Sequence, residues 1–190
     1  TITDALKNIK EVQEIDDLIA AYQFAQNHPL NQKNLLEAHQ ILSKEFLIKS
    51  NQGVYRKNKV GVFGAEGLVY LAVEHEHVEK EMGLFFEKIN ALFEKNLNTS
   101  EAFYYAALYH LKFAHIHPFA DGNGRVARLL EKWFLSKFVG ERAWGIASEK
   151  FYKEHQSTYY QTINLGVNYY ELDYDRCLPF IKMLAQAVIK

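Results

Sequence analysis

Apolar residues recur every three to four positions along most of this chain, the spacing of one helical face. Leu35, Leu36, Leu42, Phe46 and Leu47 mark such a face behind Pro29, a residue tolerated in a first helical turn, and predict a helix over residues 31–48. The same spacing predicts helices near 4–26, 74–96, 100–115, 124–139, 149–165 and 176–189. One stretch departs from it. From Gly53, Val54, Tyr55 and Arg56 through Val60, Val62 and Phe63 to Gly67, Leu68, Val69 and Tyr70, apolar and polar residues alternate around glycines, which predicts a β-hairpin over about 53–71. There is no repeat at a fixed period, no low-complexity segment and only 3 prolines, so nothing reads as a linker. The expected architecture is therefore all-α, a helical bundle with one hairpin, in a single domain over residues 1–190.

Two of the predicted helices bracket an unusual segment. Asn98 with Glu101 three residues on predicts a capped start, and Phe103, Ala106, Ala107, His110, Leu111 and Ala114 form a buried stripe that delivers His117. Pro118 disfavours helical geometry at the residue before it, so the chain should leave the helix at His117 with the imidazole facing outward. Val126, Leu129, Leu130, Trp133, Phe134 and Phe138 mark a second core helix beginning near Gly124. Between the two runs His117-Pro118-Phe119-Ala120-Asp121-Gly122-Asn123-Gly124-Arg125-Val126-Ala127-Arg128.

Composition narrows the chemistry that this segment can do. With 22 Lys and Arg against 23 Asp and Glu, the formal net charge of −1 lacks the broad basic footprint of a nucleic-acid binder, so anion recognition must be local. The one cysteine, Cys177, excludes an internal disulfide and agrees with a reducing, cytoplasmic setting, although a secreted protein without disulfides is equally allowed. No apolar run reaches the ~18 residues of a membrane span, and the N-terminus lacks a signal-peptide layout. A soluble cytoplasmic protein is expected.

Within the segment each residue type has a physical task. Histidine, with an unperturbed pKa near ~6.5, is a neutral base at physiological pH, suited to taking a proton from a hydroxyl. A helix N-terminus behind glycines offers free N–H groups and the positive end of the dipole to phosphate oxygens. Arg125 and Arg128 in its first turn oppose that dipole, each at up to ~1 kcal/mol, so their placement asks for a bound anion. Asp121 is the loop's only carboxylate, and Mg²⁺ is commonly held by one or two carboxylates with phosphates completing its shell. Taken singly, Asp121 also reads as a helix cap, the arginines as a solvated face and His117 as a core histidine. Together they describe a site for a nucleotide–metal complex.

The stretch from His117 to Arg128 resembles in full the Fic-domain signature His-Pro-Phe-x-(Asp/Glu)-Gly-Asn-Gly-Arg-x-x-Arg, matched at every specified position. The resemblance extends to the hairpin after Gly53, which is similar to the Fic flap, and to Tyr159-Tyr160. It implies transfer of AMP from ATP to a Ser, Thr or Tyr hydroxyl of a target protein, with pyrophosphate released. By that resemblance His117 is the general base and Asp121 holds Mg²⁺. Gly122, Asn123, Gly124 and Arg125 form the anion hole, and Arg128 grips the γ-phosphate. Val60 and Val62 are the flap residues that align an extended target segment, and Tyr159, Tyr160 and Asn168 border the adenine. Ordinary hairpin packing for the valines and core packing for the tyrosines stay open beside these roles.

Related proteins carry an inhibitory helix, Ser/Thr-x-x-x-Glu-Gly/Asn, whose glutamate pairs with the second arginine of the signature. That pattern is missing here: Glu66-Gly67 has the final pair, but Val62 stands at the hydroxyl position. Thr1-Ile2-Thr3 is similar to the segment that follows this helix elsewhere, so an inhibitory helix is expected upstream of Thr1 in cis, or in trans. Alternatives remain open. They are a Doc-like kinase, which typically has lysine where Gly124 stands, a phosphodiesterase that removes AMP, a non-catalytic nucleotide-binding module, and donors such as UTP or GTP. Outside the family, Gly122-x-Gly124-x-x-Ala127 superficially matches a dinucleotide fingerprint, and His110, His115 and His117, or His75 and His77, could be taken for metal ligands.

Overall fold

The computed structural model describes residues 2–64 and 67–189; Thr1 and Glu66, both used in the inhibitory-helix expectation, lie outside the described residues. The elements are α1 (Ile2–Asn27), α2 (Gln32–Leu42), β1 (Gly61–Gly64), β2 (Gly67–Leu71), α3 (His75–Phe93), α4 (Thr99–Ile116), α5 (Asn123–Val139), α6 (Ser148–Glu154), α7 (Gln156–Ile163) and α8 (Leu178–Ile189). Helices α4 and α5 form the central pair. Helices α1 and α2 pack on α5, α8 packs on α4, α6 and α7, and α3 joins α2 and α4. No helix of the described residues is long and apolar enough to cross a membrane.

The core forms where the predicted stripes meet. Leu111 and Phe113 of α4 and Leu129, Leu130 and Phe134 of α5 are fully buried, as is Phe180 of α8; each such side chain stabilises the fold by ~1.5–3 kcal/mol. At the start of α4, Asn98 Oδ1 accepts the Glu101 N–H at 3.0 Å and Glu101 Oε2 accepts the Asn98 N–H at 2.8 Å, completing the expected capping box. As expected from Pro118, α4 ends at Ile116 and His117 leaves helical geometry.

Three boundaries differ from the sequence expectation. The helix expected over 31–48 stops at Leu42, where the chain turns so that the Phe46 and Leu47 N–H groups bond the Ser43 carbonyl; the turn carries Phe46 beneath the segment around Gly122. The hairpin is confined to β1 and β2, with Val62 paired to Tyr70 and a bulge after Val62. Residues 53–60 form no strand because their polar groups bond elsewhere, Gly53 N–H to His39 Nδ1 and Arg56 N–H to the Pro118 carbonyl. The helix expected over 149–165 breaks at His155, whose backbone (φ −112°, ψ 38°) departs from helical values while its ring contacts the Phe151 carbonyl.

Beneath α5 lies a buried polar knot. Glu131 and His110 are both 0% exposed, and Glu131 Oε2 accepts from His110 Nδ1–H at 2.8 Å and from the Tyr152 hydroxyl at 2.7 Å. His110 Nε2, left as the acceptor, takes the Tyr159 hydroxyl at 2.9 Å. Glu131→Ala leaves two buried donors without their acceptor. We expect a loss of about 3 kcal/mol in urea unfolding; a loss below about 1 kcal/mol would show that the knot is not cooperative.

Candidate active site

Six residues, 117–122, connect the C-terminal end of α4 to the N-terminal end of α5. His117 takes a left-handed conformation (φ 51°, ψ 57°), the only described non-glycine residue with positive φ. Its Nδ1 lies 3.2 Å from the Ala114 carbonyl, a contact that only a protonated Nδ1 can make, so the lone pair sits on Nε2. Burial, reinforced by the Arg56 guanidinium, pushes the imidazole pKa below its ordinary value against the opposing pull of the Ala114 carbonyl and Asp121. His117 is half-buried rather than turned fully to solvent, and it is held as a neutral base.

The loop is pinned from within. Phe119 is fully buried and stacks on His39, ring centroids 3.6 Å apart and planes 4° from parallel. His39 donates from Nε2 to the Asp121 carbonyl at 3.1 Å, so α2 holds the loop from below. Both ends of the Asn123 amide are consumed by Phe119, Oδ1 accepting its N–H and Nδ2 donating to its carbonyl, each at 2.9 Å. The Asn123 side chain therefore staples the loop, and its backbone N–H is the donor that stays unspent. Gly122 (φ +82°) occupies a conformation that side chains rarely adopt, and a Cβ there would come 3.1 Å from the Phe46 ring.

Val126 N–H makes the first bond of α5, to the Gly122 carbonyl at 3.0 Å, and no side chain caps the helix. The N–H groups of Asn123, Gly124 and Arg125 precede any available helical carbonyl. Arg128 folds over this end: its Nη1 stands 3.3 Å from where a Gly124 Cβ would be. Arg125 donates from Nη2 to Glu14 Oε2 on α1 at 2.9 Å and lies over the Phe46 ring at 4.3 Å, while its Nη1 is buried without a partner among the described residues. Both contacts were invisible in the sequence, since α1 and the turn after α2 are more than 75 residues away from Arg125.

Two cavities flank the loop. One, of about 340 Å³, is lined by Arg125, Arg128, Tyr22, Lys153, Tyr159 and Tyr160. The other, of about 380 Å³, lies between Ala120 of the loop and the segment from Ser50 to Val60. Tyr160 is 58% exposed at the first cavity, whereas Tyr159 is buried and reaches inward to His110. Asn168 is not with them: its side chain accepts the Tyr170 N–H at 3.0 Å, and its backbone pairs with Leu71 beside the hairpin. Val60 borders the second cavity, and Val62 is 36% exposed opposite Tyr70. The Leu71 N–H bonds the Val167 carbonyl at 2.9 Å, which closes the outer edge of β2. Among the described residues the outer edge of β1 carries no backbone partner.

Asp121 is exposed and accepts the Gly122 N–H on Oδ1 at 2.6 Å, which leaves Oδ2 for a metal ion. One carboxylate beside a phosphate site suits Mg²⁺. The histidine-cluster alternative does not hold, because the ring nitrogens of His110 and His115 bond Glu131, Tyr159, Tyr174 and Ile163, and no metal-holding group of three or more His, Cys, Asp or Glu occurs among the described residues. The dinucleotide fingerprint fails as well, because the helix α4 stands where that motif needs a strand.

Residues 29–135 match the Fic/DOC family model. The chain belongs to the Fic/DOC family. It is 32% identical over 172 residues to the protein adenylyltransferase Fic of Aedes aegypti and 30% identical over 172 residues to that of Culex quinquefasciatus, covering 84% of this chain and 30% of each relative. The chain thus spans about a third of the length of these relatives. Among solved structures, a Fic-domain signaling protein from Bacteroides thetaiotaomicron is similar at a TM-score of 0.73 and 25% identity, over 95% of this chain and 69% of that one. A Fic family protein from Desulfovibrio desulfuricans has the same fold at a TM-score of 0.73 and 24% identity, over 95% of this chain and 54% of that one.

Two predictions follow from the geometry. Burial lowers the pKa of His39 and of His115 to about 4, so both stay neutral in the folded protein long after an unfolded chain has protonated them. Stability is complete above the unfolded value of ~6.5 and declines as pH falls from there towards 4, with each histidine adding up to about 1.4 kcal/mol per pH unit. Urea midpoints at a series of pH values test this, and His39→Gln should flatten the slope. Secondly, Glu14→Gln removes the charge that occupies Arg125, so inorganic pyrophosphate should bind roughly 5-fold more tightly by calorimetry, about 1 kcal/mol for a partly exposed pair.

Proposed function

We propose that this chain transfers AMP from ATP to a Ser, Thr or Tyr hydroxyl of a target protein. The observation that carries the reading is the unspent donor set at the start of α5, three backbone N–H groups flanked by Arg125 and Arg128, beside a neutral imidazole with a free Nε2. The relatives named protein adenylyltransferase support the same activity.

In this reading the Asn123, Gly124 and Arg125 N–H groups and the Arg125 side chain bind the phosphate chain, Arg128 engages its γ end, and Tyr159 and Tyr160 border the base, whereas Asn168 is held beside the hairpin and takes no part. His117 Nε2 takes the proton as the hydroxyl oxygen bonds to the α-phosphorus. The bond from that phosphorus to the bridging oxygen of the β-phosphate breaks, and pyrophosphate departs with its charge neutralised by the helix end and the guanidiniums. Such transfers depend chiefly on alignment and charge stabilisation, both of which a pinned loop supplies. Mg²⁺ held by Asp121 would add further neutralisation of the phosphate oxygens.

The target backbone lies along the open edge of β1, past Val60 and Val62, a mode that gives affinity without reading much sequence. Gly124 favours AMP transfer over phosphate transfer, since the Doc-like kinases typically carry lysine at this place. The proposal includes a brake of the kind expected from the sequence: a glutamate from an inhibitory helix, in cis or in trans, would compete for the guanidinium of Arg128. A cytoplasmic, reducing setting accords with the lone buried Cys177.

Incubation with Mg²⁺, cell lysate and either α- or γ-labelled ATP tests the reading. Label from the α position alone should enter protein. Transfer of γ label would indicate a kinase, loss of AMP from a pre-modified target a phosphodiesterase, and ATP binding with no transfer a binding module. His117→Ala should lower transfer at least about 100-fold and leave ATP affinity within about twofold. Asp121→Ala should lose metal-dependent turnover, and Arg128→Ala should weaken ATP binding about tenfold. Undiminished rates in the His117 variant would overturn the mechanism.

A further inference from the structure

Arg56 is a buried cation that the mechanism above leaves unused. It is 5% exposed and forms no ion pair among the described residues. Its guanidinium instead collects carbonyl oxygens: Nε donates to His117 O at 2.7 Å, Nη1 to Asn58 O at 2.8 Å, and Nη2 to Val73 O at 2.5 Å and Ile116 O at 3.4 Å. Its backbone N–H adds the Pro118 carbonyl at 2.9 Å. One residue thereby ties three consecutive carbonyls at the exit of α4 to the segment before the hairpin and to the connection after it.

The last carbonyls of a helix lack intrahelical donors and carry the negative end of its dipole, so a cation is favoured at this place. The geometry imposed there is uncommon. Pro118 disfavours right-handed helical geometry at His117 and by itself favours extended backbone, yet His117 takes the left-handed conformation. In that conformation its carbonyl meets Arg56 Nε while its own Nδ1 reaches back to Ala114 O. An extended His117 would turn its carbonyl away from the guanidinium and its ring away from α4.

We propose that Arg56 is the positioning residue for the base: by binding the carbonyls of Ile116, His117 and Pro118 it fixes the left-handed turn that orients the His117 imidazole and keeps Nε2 free. The inference rests on the reading of His117 as the proton acceptor. A second consequence follows from charge. A guanidinium close to the ring disfavours the imidazolium form, acting with burial and against Asp121 of the loop and the Ala114 carbonyl of α4. His115 of α4 and, beyond Arg56, Tyr70 of β2 and Glu74 before α3 complete the titratable groups facing this junction. Arg56 lies outside the cavity that holds Arg125 and Arg128, so its effect should spare nucleotide binding.

The test compares Arg56→Met and Arg56→Lys with the native chain. The His117 imidazole is titrated by NMR, ATP affinity and thermal unfolding are measured, and kcat and KM for ATP are followed with the α-labelled donor. In Arg56→Met the His117 midpoint should rise by about half a pH unit or more as the guanidinium is lost. Its kcat should fall at least about tenfold, with KM and Kd for ATP unchanged within about twofold. Arg56→Lys keeps the charge and loses the fork, so the midpoint should stay low while kcat falls only in part. A folded Arg56→Met with native kcat and native His117 midpoint overturns the assignment. If Arg56→Met does not fold, Arg56→Lys decides alone: reduced kcat at native ATP affinity supports the role, and native kcat refutes it. The titration also decides the matter if the native chain transfers nothing, so failure of this assignment and failure of the proposed activity are separable.

Discussion

The short connection between α4 and α5 must bring the negative end of one helix and the positive end of the next to the same place without letting them annul each other. Two left-handed residues, His117 at φ 51° and Gly122 at φ +82°, make the required corners. Phe119 sinks between them into the core, and Asn123 ties its backbone across the loop. With the corners set, each helix end meets its own counter-charge: a buried guanidinium at the end of α4, and unspent N–H groups awaiting an anion at the start of α5. The position of the His117 imidazole and the unspent N–H groups are consequences of one turn.

That turn is supported from parts of the chain remote in sequence. Helix α2 supplies His39, whose ring stacks on Phe119 and whose Nε2 holds the Asp121 carbonyl. The turn after α2 supplies Phe46, which fills the space next to Gly122 and lies under Arg125. Helix α1 supplies Glu14, a carboxylate already resting on one of the two arginines. The protein thus satisfies part of its own positive charge from within the fold. The arginines at the helix start are thereby reconciled with the dipole that opposes them.

The polar knot of His110, Glu131, Tyr152 and Tyr159 works from beneath. Buried hydrogen-bonded networks rigidify the elements they join, because each bonded member would be costly to leave unpaired; Glu131 Oε1 alone in this one has no partner among the described residues. Here the knot locks α4, α5, α6 and α7 behind the loop, and Tyr159 passes from the knot to the cavity that contains Arg128. The hairpin is fastened differently, by the Tyr70 hydroxyl on the His115 carbonyl and by Leu71 on Val167, which leaves the outer edge of β1 open. In the proposed reaction the rigid side would place phosphate and the exposed strand edge would accept varied protein segments.

Much of this was legible in the residues themselves. The helical spacing, the capping box at Asn98 and Glu101, the exit at His117 before Pro118 and the segment from His117 to Arg128 are local patterns, and local patterns are set by backbone sterics and side-chain period. Where a single residue had to serve a distant partner, the sequence was silent. The stretch from 53 to 60 alternates like a strand yet wraps around the α4 exit, because Arg56 binds the carbonyls of Ile116, His117 and Pro118 there. The 31–48 stripe ends early because Phe46 is needed at Gly122, and the tyrosine pair divides, one ring inward to His110 and one to the cavity. The sequence by itself determined the helices, the corner residues and the chemical groups of the loop, since these follow from interactions between near neighbours. Only the tertiary structure decided which cation binds the His117 carbonyl, which carboxylate meets Arg125 and which strand edge stays open, because those outcomes depend on burial and on hydrogen-bond partners that chain folding brings together across about 60 to 110 residues.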